Sequence, residues 1–102
     1  MNVLIRPQFY LDVEAEVYWL LTHADATVAQ RWHGAVWETI ELLRTQPLIG
    51  RERKDLKQVG IRSWRVNQFA RWLIFYEAQG ETMVVYRLRS GFMDLMQIQM
   101  RI

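Results

Sequence analysis

Arginine and tryptophan are the side chains of this sequence best suited to chemistry, and they concentrate in its middle. Residues 44–71 carry eight lysines and arginines against two acidic side chains, whereas residues 1–43 carry two arginines against six acids. A cationic stretch attracts an acidic protein partner or nucleic acid, although a solvated loop and strand face accounts for it equally well. Trp64 and Trp72 stand beside arginines, so they serve either cation–π packing within a sheet or as anchors of a docking surface.

The same cationic residues could act on RNA. Arginines that contact phosphate and aromatic rings that stack on bases are how many sheets hold single strands. A ribonuclease without a histidine would need arginines, lysines and a tyrosine to activate a 2′-hydroxyl and to stabilise the charge that develops at phosphorus. The candidates for these roles are Lys54, Lys57, Arg65, Tyr86 and Arg87. Their spacing in the sequence does not establish that they converge.

Other classes of site are not indicated. The sequence has no cysteine, and its two histidines, His23 and His33, are too few for a metal site. It also has no phosphate-binding glycine loop, no Gly-x-Ser-x-Gly and no His-Glu-x-x-His. Asp12, Glu14 and Glu16 are interpreted as solvated charges near the start of a helix. We therefore expect no catalytic residue, no cofactor and no metal ion.

The hydrophobic pattern places helices in the N-terminal half of the chain. Apolar residues recur three and four positions apart in two stretches, separated by Asp25 and Thr27, which are typical of a helix N-cap. Pro7 ends a short strand and suits the first turn of the helix that follows. The predicted elements are a strand over residues 2–6, a helix over 8–23, a second helix that carries Ala29 to Leu43 and ends before Pro47, and a loop over 48–60.

The C-terminal half predicts strands, because its apolar runs are rich in aromatic and β-branched residues. Reversals near Asn67-Gln68 and at Gln79-Gly80 make the three strands an antiparallel meander. We expect the helical hairpin to cover one face of this sheet and the N-terminal strand to pair at an edge, which gives a two-layer α+β sandwich in one domain. The strands are predicted over residues 61–66, 72–78 and 82–88, and the domain over 1–102.

Two further expectations concern the core and the location of the protein. Trp19, Trp32 and Trp37 lie on predicted helices, where large side chains usually fill a core. The N-terminus does not resemble a secretion signal, and no apolar run is long enough to span a bilayer. The sequence therefore predicts a cytoplasmic protein that does not enter a membrane.

The order of residues along nearly the whole chain resembles a known family. The residues that carry the resemblance are Ala29-x-x-Trp32 leading through Ile40 and Leu43 to Pro47-x-x-Gly50-Arg51, then Ile61-Arg62-x-Trp64-x-Val66, Leu73-Ile74-Phe75-Tyr76 and Val85-x-Arg87-Leu88-x-x-Gly91-x-x-Asp94-Leu95. In this order and spacing they resemble the ParE/RelE toxin superfamily of type II toxin–antitoxin systems. The ParE-like branch is the more similar of the two.

The resemblance implies a helical hairpin on a twisted antiparallel sheet, a hetero-oligomer with a cognate antitoxin, and inhibition of growth when the antitoxin is lost. ParE-like members are associated with poisoning DNA gyrase by binding. RelE-like members cleave messenger RNA in the ribosome, and RNA is the target that this alternative implies. A third possibility is a non-toxic protein-interaction module of the same fold.

Three positions depart from the family patterns. RelE-like nucleases tend to place an arginine where this sequence has Leu73, and the loss of one phosphate-stabilising group typically costs a factor of ~10² or more in rate. This departure favours a toxin that acts by binding. Many ParE members also read His-Gly-x-Arg-Asp where this chain reads Ser90-Gly91-Phe92-Met93-Asp94, so the histidine and the arginine are replaced.

We therefore predict a partner-binding surface and no catalytic centre. An acidic or amphipathic antitoxin segment would cover cationic and aromatic side chains of the strands, together with the start of the apolar, methionine-rich tail. The tail suits either core packing or a grip on a partner. The predicted partner-binding residues are Trp64, Arg65, Arg71, Trp72, Arg87, Arg89, Phe92 and Met93.

Overall fold

The computed structural model describes residues 1–91, and the structural statements below concern that part of the chain. Phe92 and Met93, with the rest of the predicted apolar tail, lie outside the described residues. The elements in chain order are β1 (Asn2–Ile5), α1 (Pro7–His23), α2 (Ala26–Thr45), β2 (Arg51–Glu52), β3 (Arg62–Val66), β4 (Phe69–Gln79) and β5 (Thr82–Ser90).

The strands form one mixed sheet in the order β1-β5-β4-β3-β2. β3, β4 and β5 are the antiparallel meander that the sequence predicts. β1 pairs at the edge, as expected, and runs parallel to β5, with Asn2 opposite Thr82 and Ile5 opposite Val85. The turns use the predicted residues, since Gln68 and Gly80 both have positive φ, at 67° and 58°. The predicted α+β architecture is confirmed.

The prediction of a loop over residues 48–60 is wrong at one point. Arg51–Glu52 forms a short strand, β2, that pairs with β3 at the second edge of the sheet. The ladder continues because the Arg53 N–H donates to the Ile61 carbonyl at 2.7 Å. The Arg53 side chain is buried and donates to the Ser63 hydroxyl at 3.1 Å. A strand of two charged residues has no hydrophobic period, so the sequence pattern gives no sign of it.

Local signals explain where both helices begin. Pro7 occupies the first turn of α1, where its missing N–H costs no hydrogen bond. α2 begins after Asp25, whose carboxylate accepts a hydrogen bond from the Val28 N–H at 2.9 Å. The helices pack as the predicted hairpin on one face of the sheet. Their buried apolar positions are Phe9, Val13 and Leu20 of α1 and Ala29, Trp32, Ala35, Val36, Ile40 and Leu43 of α2.

The sheet is covered on both faces. The main core lies between the helices and the sheet, whereas a smaller cluster around Phe75 and Tyr86 lies on the opposite face, where Leu56 of the β2–β3 connection packs against it. The chain between α2 and β2 is attached by Tyr76, whose buried hydroxyl donates to the Pro47 carbonyl at 2.7 Å and accepts from the Gly50 N–H at 2.9 Å. Neighbouring side chains of β4 thus hold a connecting segment on each face of the sheet: Tyr76 on the helical face and Phe75 on the opposite face.

The tryptophans of the helices differ in their burial. Trp32 is 1% exposed and fills the core, as predicted, and Trp37 is half-buried against it. The expectation for Trp19 is wrong, because this side chain is 51% exposed. Val13 and Leu20 already define the face of α1 that packs on the sheet, so Trp19 falls on the flank of the helix.

Gly34 lies in the middle of α2, and apart from its chain neighbours and the local helix backbone no atom of residues 1–91 comes within 4 Å of a Cβ placed there. We expect Gly34→Ala to raise the free energy of unfolding by about 0.8 kcal/mol, because alanine has the higher helix propensity. Thermal denaturation should show an increase in Tm of about 4 °C. Gly80→Ala is the control and should lower Tm, because Gly80 has φ +58°. A decrease in Tm for Gly34→Ala would show that the space is not open.

Candidate functional site

Asp12 binds the part of β5 that β1 does not reach. β1 ends opposite Val85, so beyond this residue the outer edge of β5 has no neighbouring strand within residues 1–91. The Asp12 carboxylate accepts a hydrogen bond there from the Leu88 N–H at 3.0 Å. It also accepts two from the Arg87 guanidinium, at 2.8 Å from Nε and 3.1 Å from Nη2. The Asp12 side chain is 7% exposed, so the interpretation of this residue as a solvated charge is wrong.

A bulge in β5 aims its arginines at Asp12. Phe75 lies opposite Arg87 but Tyr76 lies opposite Val85, so Tyr86 is an extra residue in β5. A bulge of this kind increases the local twist and redirects the side chains that follow it. Arg89 also approaches Asp12, with 3.9 Å between Nη1 and Oδ1. One carboxylate therefore neutralises part of the charge of two arginines.

A cleft of about 380 Å³ opens beside this cluster, between the flank of α1 and the ends of β4 and β5. Its helical wall consists of residues spaced three, four and seven positions apart, which a helix places on one side. Its floor and far wall come from neighbouring strands, where the Gly91 N–H donates to the Arg71 carbonyl. The lining residues are Asp12, Ala15, Glu16, Trp19, Arg71, Trp72, Leu88, Arg89 and Ser90.

The cleft combines charge with aromatic surface. Burial raises the pKa of the Glu16 carboxyl, and the positive charge of Arg71 opposes this effect. Nε of Arg89 is buried and has no hydrogen-bond partner among residues 1–91. The Trp72 ring packs edge-on against Trp32, with 5.5 Å between the ring centroids, and Trp19 stacks on His23 at 4.5 Å. Two guanidinium groups and two indoles therefore border one concave surface.

The predicted partner-binding residues fall in three places. Arg71, Trp72 and Arg89 line the cleft, and Arg87 adjoins it through Asp12. Trp64 and Arg65 lie on β3, outside the cleft. The Arg65 guanidinium lies 5.1 Å from the centre of the Trp64 ring, so this pair makes the cation–π contact that the sequence offered as the plain alternative. Phe92 and Met93 are outside the described residues.

The residues considered for RNA cleavage are held by different partners. Tyr86 is 1% exposed, and its hydroxyl donates to Glu77 Oε1 at 3.0 Å. Burial raises the pKa of Tyr86 far above its usual value, and the Glu77 carboxylate adds to this shift. Arg87 is bound to Asp12. Lys54 and Lys57 are exposed in the β2–β3 connection.

The described residues do not form a metal site or a membrane-spanning helix. Within residues 1–91 no three histidine or carboxylate side chains are close enough to hold a metal ion. In that same stretch neither helix is sufficiently long and apolar to cross a membrane. His33 instead accepts a hydrogen bond at Nε2 from the Trp37 indole, at 3.0 Å.

Sequence reasoning missed the helical wall of the cleft. The residues concerned are Asp12, Glu16 and Trp19, at positions i, i+4 and i+7 of α1. This stripe is offset around the helix from the core stripe that begins at Phe9. A second stripe of this kind on one helix is the sequence signal from which the wall of the cleft could have been predicted. The sequence pattern does not separate its two acids from Glu14, which is exposed.

The fold is shared with a solved structure described as "Chromosomal ParDE TA system from P. aeruginosa". The two chains superpose with a TM-score of 0.74 at 13% sequence identity, over 88% of this chain and 95% of the other. At this identity the likeness shows the fold, which is a strand, a pair of helices and then further strands. A search of curated proteins finds no match.

The sequence itself identifies the family. The family described as "ParE toxin of type II toxin-antitoxin system, parDE" matches residues 3–95. Since this range is most of the chain, the protein belongs to the ParE toxin family. The resemblance drawn from the ordered motifs is confirmed, including the choice of the ParE branch.

Asp12→Ala should lower the free energy of unfolding by about 3 kcal/mol, because it leaves the Arg87 guanidinium, 15% exposed, without its carboxylate. Glu14→Ala is the control on the exposed side of the same helix, and should change stability by less than about 0.5 kcal/mol. Urea denaturation measures both. Equal effects would show that Asp12 is not a structural anchor.

Glu16→Gln should raise Tm near pH ~7 but not near pH ~3, where the wild-type carboxyl is protonated and, like the glutamine amide, carries no charge. The folded-state pKa of Glu16 is raised, so ionisation of this group destabilises the fold as the pH rises. Glutamine keeps the shape of the side chain without this cost. Thermal melts at the two pH values test the difference. A lower Tm at neutral pH would mean that attraction to Arg71 outweighs burial.

Proposed function

We propose that this ParE-family protein inhibits growth by binding DNA gyrase in the cytoplasm, and that a cognate antitoxin neutralises it. The observation that carries the proposal is the cleft between α1 and the ends of β4 and β5. It offers cations and exposed aromatic surface for binding. We treat residues 1–102 as one domain and the complex with the antitoxin as a hetero-oligomer.

The cleft suits a segment that has both acidic and apolar side chains. Arg71 and Arg89 supply positive charge, and buried Nε of Arg89 offers a donor that a carboxylate can satisfy. Trp19 and Trp72 border the same space, and indoles are frequent anchors of protein interfaces. An antitoxin segment of this composition would cover the charge and the apolar area together.

The state of Tyr86 and Arg87 supports binding over RNA cleavage. The Tyr86 hydroxyl is buried against Glu77, and the Arg87 guanidinium is bound to Asp12. Neither group is offered to a substrate in this arrangement. Leu73 lies between Arg65 and Arg89 in the sheet, where an arginine would add a phosphate-binding group. In this arrangement the Arg87 guanidinium stabilises the fold through its contact with Asp12 and is not positioned to bind phosphate.

Induction of the chain alone in a bacterial host tests the target. We expect growth arrest with accumulation of cleaved DNA, loss of gyrase-dependent plasmid supercoiling and intact messenger RNA. Co-expression of a cognate antitoxin should restore growth. Arrest with normal DNA and cleaved messenger RNA would indicate a ribonuclease instead. Normal growth with a folded, expressed protein would indicate an interaction module.

Tyr86→Phe should retain growth inhibition, because it removes one hydroxyl whose partner is internal. We expect it to lower the free energy of unfolding by about 1 kcal/mol through the lost hydrogen bond to Glu77. Growth after induction and thermal denaturation measure the two effects separately. Arg87→Ala is a poor test of cleavage, since it also breaks the contact with Asp12. A folded Tyr86→Phe variant without toxicity would contradict the proposed mode of action.

A further inference from the structure

The two edges of the sheet differ in how they are protected against pairing with another strand. Within residues 1–91, β1 and β2 are the outermost strands. β2 is only Arg51–Glu52, and a short, charged edge strand discourages the addition of a further strand. β1 is Asn2–Ile5, which contains no charged residue and no proline and pairs with β5 without a bulge. The edge at β1 is therefore the one that can accept another strand.

The backbone groups that β1 offers to a further strand belong to Val3 and Ile5. The N–H groups of Asn2 and Arg6 donate to carbonyls on the β5 side, at 2.8 Å and 2.9 Å. Alternate residues of a strand direct their backbone groups to opposite sides, so those of Val3 and Ile5 point away from β5. No other strand within residues 1–91 lies on that side. Each of the two residues thus offers one N–H and one carbonyl group.

Apolar side chains are exposed near this edge on both faces of the sheet. Val3 and Ile5 pack against the main core, whereas Leu4 points to the opposite face and is 48% exposed. On the helical face, Asp12 marks the flank of α1 that lies on this side of the sheet, because it contacts the outer edge of β5. Leu11 precedes Asp12 and is 54% exposed. A strand added to β1 would therefore cover apolar surface as well as backbone groups.

We propose that β1 pairs with β1 of a second copy of this chain about a two-fold axis, so that the two sheets form one continuous sheet. With Leu4 of both copies at the axis, Val3 of one copy lies opposite Ile5 of the other. Such a pair in an antiparallel ladder exchanges two hydrogen bonds, which satisfies the outward groups of both residues. The arrangement is closed, because each copy contributes the same edge.

The charges around the edge favour a second copy as the occupant. In this register Arg6 of one copy lies opposite Asn2 of the other. Asn2 donates its N–H to the carbonyl of Glu81, an exposed residue of the β4–β5 turn, at 2.8 Å. An arginine of each copy therefore approaches an acid of the other on both sides of the axis. Because β1 itself is uncharged, no like charges lie opposite each other, and the edge is complementary to itself.

The interface goes beyond the proposed function, because it does not use the cleft. The cleft opens between α1 and the ends of β4 and β5, beyond the point where β1 stops pairing with β5. The two copies of β5 run in opposite directions, so the two clefts lie at opposite ends of the joined sheet. A dimer would therefore offer two separate binding sites.

Sedimentation velocity of the purified chain over a range of concentrations tests the pairing. We expect a species of about twice the chain mass of 12.3 kDa. Leu4→Lys should weaken dimerisation by about 10-fold or more, because like charges would lie opposite each other at the axis. Leu48→Lys is the matched control and should stay within about 2-fold of the wild type. It makes the same change at a side chain that is 68% exposed in the connection before β2, at the other edge of the sheet.

A mixture of two variants separates a loss of pairing from a failure to fold. Leu4→Lys and Leu4→Glu should each dimerise weakly alone, but together they should recover the dimer, because lysine lies opposite glutamate across the axis. Hydrogen exchange reports on the register. The amides of Val3 and Ile5 should exchange slowly in the wild type and rapidly in Leu4→Lys.

Other results would overturn the inference. A wild type that stays monomeric at every concentration would reject the second copy. Protected Val3 and Ile5 amides in such a monomer would assign the edge to residues 92–102, and protection only with a cognate antitoxin would assign it to that protein. Full dimerisation of Leu4→Lys, or no recovery in the mixture, would reject this register. None of these results bears on growth arrest, which the induction experiment measures.

Discussion

The Asp12 carboxylate accepts the hydrogen bond that a neighbouring strand would otherwise accept from β5. β1 is short, and beyond its end no other strand in the described part of the chain pairs with the outer edge of β5, where an N–H group and two arginines would otherwise lack a partner. One buried side chain accepts from that N–H and from Arg87, and lies near Arg89. Asp12 thereby connects α1 to β5 at the position where β1 no longer pairs with β5. The cleft exists because the helix is fixed there and its flank overhangs the ends of the strands.

The distribution of charge follows from this arrangement. The hairpin carries most of the acids of the described chain, and the strands and the β2–β3 connection carry most of the bases. Asp12 and Glu16 bring acids from the hairpin to the boundary, where they meet arginines of the sheet. Glu14 and Glu38 are exposed elsewhere on the helices, and Glu41 is paired with Arg44. The helical hairpin and the strand region of the chain therefore differ in the sign of their charge, on a protein whose net charge is only +2.

The sequence predicts the helices, the meander and the edge strand because each has a hydrophobic period and recognisable ends. Arg51–Glu52 escapes prediction because pairing with β3, and not its own residues, makes it a strand. Asp12 escapes for a similar reason, since its partners are more than seventy residues away and helical position alone suggests solvent. Of the predicted binding residues, Arg71, Trp72 and Arg89 converge because they share strand ends. Trp64 and Arg65 do not, because β3 lies on the far side of β4.

The pairing of β1 with β5, the last strand within residues 1–91, has a consequence for the timing of synthesis. β1 can find its place only when β5 is available, and Asp12 meets Arg87 only at that stage. Contacts this distant in sequence close late, after the local hairpins have formed. A nascent chain that still lacks β5 has neither the strand ends nor the edge from which the cleft is built. Until translation has produced β5, the chain therefore lacks the cleft through which we propose that it binds its partners.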